Sequence, residues 1–177
     1  MSEKKINIQF HKTKYAEFIL GSYDNKLCLL DYKYRKMRQV LDNKIRTMLN
    51  AEFVTDSIEK EDEVLCKTKT QINEYLMGER TTFDIPLLMV GTEFEKSVWR
   101  SLLKVPYGQT STYSDLASND ESINTLNSIA KANGSNSIAL IVPCHRIIDD
   151  NGGLVGYGGG LPLKLKLLNL EQNLFAF

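Results

Sequence analysis

Cysteine is scarce in this chain. Only Cys28, Cys66 and Cys144 occur among 177 residues, too few for the disulfide framework of a small secreted domain. No CxxC or CxxH pair is present, so the usual spacing of a zinc site is missing as well. A structural metal shared by Cys28, Cys66 and His11 matches no known zinc pattern, and neither metal nor cofactor is expected. Long apolar runs are also absent. Nothing approaches the ~18 residues of a membrane span, and Met1-Ser2-Glu3-Lys4-Lys5 leads into no signal-peptide apolar region. An intracellular protein off the membrane is expected, cytoplasmic, or nuclear in a eukaryote. An excess of either charge is missing too, with 22 Lys plus Arg against 22 Asp plus Glu. A protein that holds nucleic acid by bulk charge carries clustered positive residues. That leaves room for DNA binding only over a short footprint.

Core-forming residues are plentiful. Hydrophobic residues make up 42% of the chain, and a chain of this length buries about 70% of its unfolded surface, as one large domain or two small ones. Residues 5–31 read as strands: Ile6, Ile8 and Phe10 alternate with polar residues, as do Phe18 and Leu20. Tyr23-Asp24-Asn25-Lys26 supplies a hairpin turn before Leu27, Leu29 and Leu30. From about 35 to 50 the period becomes helical, with Met37, Val40, Leu41, Ile45, Met48 and Leu49 on one face and Arg35 and Arg38 outside. A second helix is expected from Glu61 to Met77, ended by Gly78, and Thr82 to Leu87 reads as a short edge strand interrupted by Pro86. The charged segment Glu59 to Glu63 reads as a solvated face. The expected domains are 1–90, without visible chemistry, and 91–177.

Thr92-Glu93-Phe94-Glu95 then forms a capping box. The helix it opens carries Phe94, Val98, Trp99, Leu102 and Leu103 and stops at Pro106-Tyr107-Gly108. Thr112 caps a short helix containing Tyr113 and Leu116. After the polar break Ser118 to Ser122, another helix runs from about Ile123 to Asn133, with Leu126, Ile129 and Ala130 inward. Helix, turn and helix is a layout that DNA-binding proteins share with ordinary αα-hairpins. The last segment, Leu161 to Leu170, fits a strand by its period of two. It fits a helix by Pro162 at its start and by Leu163, Leu167, Leu170 and Leu174.

The stretch that carries chemistry is Ile141-Val142-Pro143-Cys144-His145-Arg146-Ile147-Ile148. An apolar run ends at a proline, and a thiol, an imidazole and a guanidinium follow. A thiol attacks as its thiolate, which nearby basic or positive groups favour. Six glycines fall between residues 152 and 160, enough to bring backbone groups close to a ligand.

Pro143-Cys144-His145-Arg146-Ile147-Ile148, the Gly156-Tyr157-Gly158-Gly159-Gly160-Leu161 segment and Glu171 together resemble the O6-alkylguanine-DNA alkyltransferases, also called methylated-DNA–protein-cysteine methyltransferases. The resemblance covers roughly residues 92–171. It implies an α+β protein: a ribonuclease-H-like N-terminal domain with a small antiparallel sheet and helices, then a helical C-terminal domain of winged-helix, helix-turn-helix type. It implies irreversible, single-turnover transfer of an alkyl group from O6-alkylguanine, with O4-alkylthymine a further substrate, to Cys144. The partner would be double-stranded DNA, bound through the minor groove with the damaged guanine rotated out, and the protein a monomer.

On the same resemblance, Cys144 is the acceptor, and a Cys–water–His–Glu relay runs through His145 and Glu171. Adjacent residues of an extended chain point apart, which would call for the water. Tyr113 would donate a proton to the departing base, and Asn136 would brace the active turn. Val142, Ile147, Tyr157, Gly158 and Gly159 would line the substrate pocket. Thr112, Asn127, Ser128, Ala130 and Lys131 would face DNA. Arg146 would make structural hydrogen bonds to carbonyls.

Two positions depart from the family pattern. Asn127 stands where an arginine usually fills the gap left by the rotated base, and no arginine lies between Arg100 and Arg146 to replace it. Asn136-Ser137 replaces Asn-Pro. Charges over residues 92–148 balance, with Lys96, Arg100, Lys104, Lys131 and Arg146 against Glu93, Glu95, Asp115, Asp120 and Glu121. Weakened duplex binding with intact thiol chemistry is expected. The competing reading is a non-catalytic alkylguanine-binding protein that recruits other repair factors, against which Cys144 itself argues. A Cys-His hydrolase fails because neighbouring residues rarely face each other.

Overall fold

A computed structural model describes residues 4–55, 61–118 and 125–172. The chain divides into two compact units, Met1–Gly91 and Thr92–Phe177.

The first unit is a sheet with helices. Strands β1 (Lys5–Lys12), β2 (Glu17–Tyr23) and β3 (Lys26–Tyr32) form an antiparallel meander. The β2–β3 turn places Asp24 and Asn25 at positive φ, 49° and 56°, the handedness a two-residue hairpin demands and Asn and Asp tolerate. Helix α1 (Arg38–Leu49) follows. Strand β4 (Glu52–Thr55) then lies parallel to β1, giving the order β3-β2-β1-β4. The expected antiparallel sheet is therefore mixed, because α1 serves as the crossover that a parallel pair requires. Helix α2 (Glu63–Leu76) is capped by Asp62, whose side chain accepts from Leu65 N. The expected edge strand reduces to one bridge, Leu27 with Leu87. Ile6, Ile8, Ile19, Cys28, Leu29, Ile45, Ala51 and Val90 make the core.

Expectations for side-chain exposure change here. The apolar face expected of α1 narrows to buried Leu41 and Ile45 with half-buried Leu49 against the core, while Met37, Val40 and Met48 are exposed, as is Phe10 on β1. Arg35 and Arg38, expected outside, turn back to the fully buried Asp31 at 2.9 and 2.8 Å, a buried carboxylate that needs their charge. Cys28, Cys66 and His11 have separate partners: Gly21 O, Glu61 and Asn73. Among the described residues no cluster of three or more His, Cys, Asp or Glu suits a metal. No helix there is long and apolar enough to cross a membrane.

The second unit opens with α3 (Glu93–Leu102), behind a complete capping box of Thr92 and Glu95. Val98, Trp99 and Leu102 are buried, and the Trp99 indole donates to Ala132 O at 2.8 Å. Strand β5 (Ser111–Thr112), α4 (Tyr113–Ser118) and α5 (Leu126–Gly134) follow. Thr125 caps α5; the expected start near Ile123 lies outside the described residues. Ile129 is fully buried, but Leu126 is exposed and Ala130 only half-buried, because the helix begins after Thr125 and its first turn faces solvent. Strand β6 (Ile147–Ile148) pairs parallel with β5. The ambiguous last segment is helix α6 (Leu161–Glu171), with Pro162 in its first turn. Its buried face is Lys164, Leu167, Leu168 and Glu171, with Leu163 and Leu170 half-buried. Leu174 lies outside the described residues.

Candidate active site

Cys144 opens a single 3-10 turn, Cys144–Arg146, set up by the backbone on both sides. Leu140 adopts a positive φ of 67°, and Cys144 N donates to Val142 O at 2.8 Å while Arg146 N donates to Pro143 O at 3.0 Å. The extended Cys144-His145 pair expected from sequence is thus a tight turn. Pro143, with its fixed φ and no N–H, leads into that turn instead of prolonging a strand.

Asn136 braces it. Its amide donates to Val142 O at 2.9 Å and to Cys144 Sγ at 3.2 Å, and its oxygen accepts from Ile138 N at 3.0 Å. An N–H aimed at a sulfur stabilises the negative charge that a thiolate carries. Cys144 is buried, as are Val142 and Ile147 on either side, so the sulfur is held and mostly shielded from water.

His145 is fully buried and hydrogen-bonded through Nε2 to Glu171 Oε1 at 2.7 Å. A carboxylate only accepts, so Nε2 carries the hydrogen and Nδ1 is the basic nitrogen of the neutral ring. Burial pushes the imidazole below its ordinary value, and the neighbouring charges of Arg146 and Lys164 act in the same direction. The bond and charge of Glu171 oppose this without prevailing. Glu171 is itself heavily engaged. Arg146 donates to both its oxygens, at 2.8 and 2.9 Å, and Gly108 N donates to Oε2 at 3.2 Å. A third guanidinium bond reaches Val105 O at 2.6 Å. The carbonyl bonds expected of Arg146 are therefore partly a bidentate ion pair, which fixes Glu171 and so orients His145.

Tyr113 begins α4, close enough to Cys144 that charge on the sulfur acts on it. Burial pushes its pKa above the ordinary phenol value. Its hydroxyl accepts from Asn133 Nδ2 at 3.4 Å. The Tyr157 ring stands edge-on to His145, with centroids 6.3 Å apart. Gly158 and Gly159 are half-buried between Tyr157 and Gly160, whose φ of 89° turns the chain into α6. The other predicted residues do not join this cluster. Thr112 caps α4 by accepting from Asp115 N, and Ser128 bonds Thr125. Asn127 and Lys131 are exposed on α5, and Ala130 lies half-buried there.

Sequence reading missed four contributors. Gly108 has a positive φ of 77°, and a Cβ there would sit 3.1 Å from Glu171 O, so a backbone N–H approaches Glu171 where a side chain would crowd it. Val105 lends its carbonyl. Asn133 touches Tyr113. Lys164, fully buried, donates to Ile147 O and, at 3.1 Å, to Val155 O, tying the chain after Cys144 to the glycine segment. Burial lowers its ammonium to about 8. The available signal was a lysine at helical spacing with Leu168 and Glu171 on one stripe.

Fold and site define a protein that presents one buried, braced thiol beside an oriented imidazole on a helical domain. Residues 93–173 match the family model of the 6-O-methylguanine DNA methyltransferase DNA-binding domain. A methylated-DNA–protein-cysteine methyltransferase of Methanosarcina acetivorans is 44% identical over 118 residues, 67% of this chain and 76% of that protein. One from Mycobacterium tuberculosis is 46% identical over 103 residues, 58% of this chain and 62% of that protein. The structure of Mycobacterium tuberculosis OGT in complex with DNA superposes with a TM-score of 0.79 at 31% identity, covering 94% of this chain and 93% of that one. The chain belongs to the O6-alkylguanine-DNA alkyltransferase, or methylated-DNA–protein-cysteine methyltransferase, family.

Proposed function

We infer that the protein repairs DNA by taking the alkyl group of O6-alkylguanine onto Cys144, once and irreversibly. The observation that carries this reading is the braced, buried thiol beside an imidazole whose orientation a buried carboxylate fixes. The thiol proton passes, through a water, to Nδ1 of neutral His145. The sulfur attacks the alkyl carbon, an S–C bond forms and the C–O6 bond breaks, with its electron pair moving into the base. Tyr113 gives that base a proton, so guanine leaves neutral and Cys144 ends as a thioether. A thioether cannot be returned to a thiol by any group in the site, so the protein is consumed. O4-alkylthymine presents the same alkyl–oxygen bond and is the second substrate of this reading.

Double-stranded DNA is the partner that a helix-turn-helix-like pair and a DNA-bound relative support. The finer reading has a monomer binding the minor groove through Thr112, Asn127, Ser128, Ala130 and Lys131. The damaged base rotates out to the pocket lined by Val142, Ile147, Tyr157, Gly158 and Gly159, at an unstacking cost of a few kcal/mol. The non-catalytic alternative finds no support, since the thiol is present and its surroundings are built for charge. Label transfer from a duplex carrying methyl-labelled O6-methylguanine tests the reading. Transfer is expected to stop at one methyl per chain, and continued turnover or none at all would overturn it.

A further inference from the structure

The polar neighbour of Tyr113 is Asn133, in the last turn of α5 and buried at 5% exposure. Its amide nitrogen donates to the tyrosine hydroxyl, while its amide oxygen is buried and meets no donor among the described residues. A buried acceptor without a donor is unfavourable and calls for a reason. An amide can face a hydroxyl in two ways. With its NH2 forward the hydroxyl must accept, and the phenolic proton is free to point elsewhere. With its oxygen forward the amide takes that proton. The first arrangement is present, although the second would satisfy the orphaned oxygen.

We propose that Asn133 is a positioning residue for alkyl transfer, holding the Tyr113 hydroxyl as an acceptor so that its proton points at the departing base. The unmet oxygen is the cost of that arrangement. Supporting chemistry runs the same way: burial and charge on Cys144 both make Tyr113 a poorer acid, and the Asn133 bond opposes them. In the balanced step the methyl carbon exchanges oxygen for sulfur, the base keeps the electron pair and receives the phenolic proton, and the phenolate regains a proton from solvent afterwards. The inference rests on Tyr113 as proton donor.

Asn133→Asp separates the possibilities, because an ionised carboxylate of the same size only accepts and would draw the Tyr113 proton to itself. Single-turnover transfer from a duplex containing O6-methylguanine should fall about 100-fold, the scale of a lost general acid, and match Tyr113→Phe. The double variant should be no slower than Tyr113→Phe alone. Alkylation of Cys144 by iodoacetamide, which needs no protonated leaving group, should change less than about twofold. Lowering the pH until the new carboxyl protonates should recover part of the lost transfer, since a protonated carboxyl can donate again. Transfer by Asn133→Asp near the wild-type rate, with Tyr113→Phe slow, would overturn the positioning role alone. Equal losses toward the oligonucleotide and iodoacetamide, or additive losses in the double variant, would also overturn it. A Tyr113→Phe variant as fast as wild type would remove the proton donor and this inference with it.

Discussion

At the scale of single residues, the site is a set of buried charges that hold one another in place. Glu171 is shared by His145, Arg146 and Gly108 N, so removing its charge leaves a buried guanidinium without its partner. Glu171→Gln should lower stability by about 3 kcal/mol, read as a shift in the denaturant midpoint, and slow transfer as His145 loses its orientation. Tm and rate left unchanged would contradict the arrangement. His145 gives a pH signature. Its folded value lies below the ordinary 6.5 because burial disfavours the charged ring. The unfolded chain therefore binds a proton below about 6.5 while the native ring does not, and stability falls as pH drops from there. Above that window the ring is neutral in both states and contributes no slope. His145→Gln should remove this part of the acid-side loss in pH-dependent denaturation. Lys164 slopes at the other end. With a folded value of about 8 against 10.5, the unfolded state holds the proton longer, and stability relative to Lys164→Met rises as pH climbs between them.

At the scale of elements, the signals that were legible were local. The capping box of Thr92 and Glu95 and the Asp24-Asn25 hairpin each satisfy their own backbone, so a few residues suffice to announce them. Thr92→Ala should cost about 1 kcal/mol, visible as a small fall in midpoint with α3 still formed. What sequence could not show depended on distant partners. Strand β4 exists because β1 offers a parallel edge. The face of α1 narrows because Arg35 and Arg38 answer a carboxylate on β3. Helix α6 alternates like a strand, and it becomes a helix whose buried stripe carries Lys164 and Glu171 toward the Cys144 turn. The Cys144-His145-Arg146 motif was plain by its chemistry, but its turn was hidden because it is made by Asn136, Leu140 and Pro143 together. On α5, Asn127 occupies the exposed first turn, the position at which the family resemblance leads one to expect an arginine. Asn127→Arg should speed repair of duplex substrate and leave transfer from the free modified base unchanged. No gain on duplex would mean that the missing arginine is not what limits this protein.

At the scale of the whole molecule, the charge balance sets expectations for DNA. Equal numbers of acidic and basic residues leave few phosphate contacts, so affinity should be modest and its salt dependence shallow. The second unit carries both the groups named in the transfer and the residues proposed to face DNA, so a donor that needs no duplex is what separates the chemistry from the grip on DNA. The most direct measurement is the intact mass of the protein after incubation with a duplex oligonucleotide carrying O6-methylguanine, with Cys144→Ser alongside and free O6-methylguanine as a second donor. The account predicts a gain of one methylene on the wild-type chain alone, at Cys144. Gain with the free base but not the duplex would locate the failure in base rotation, at Asn127. No gain with either donor would contradict the alkyl-acceptor role of Cys144 and the relay through His145 and Glu171.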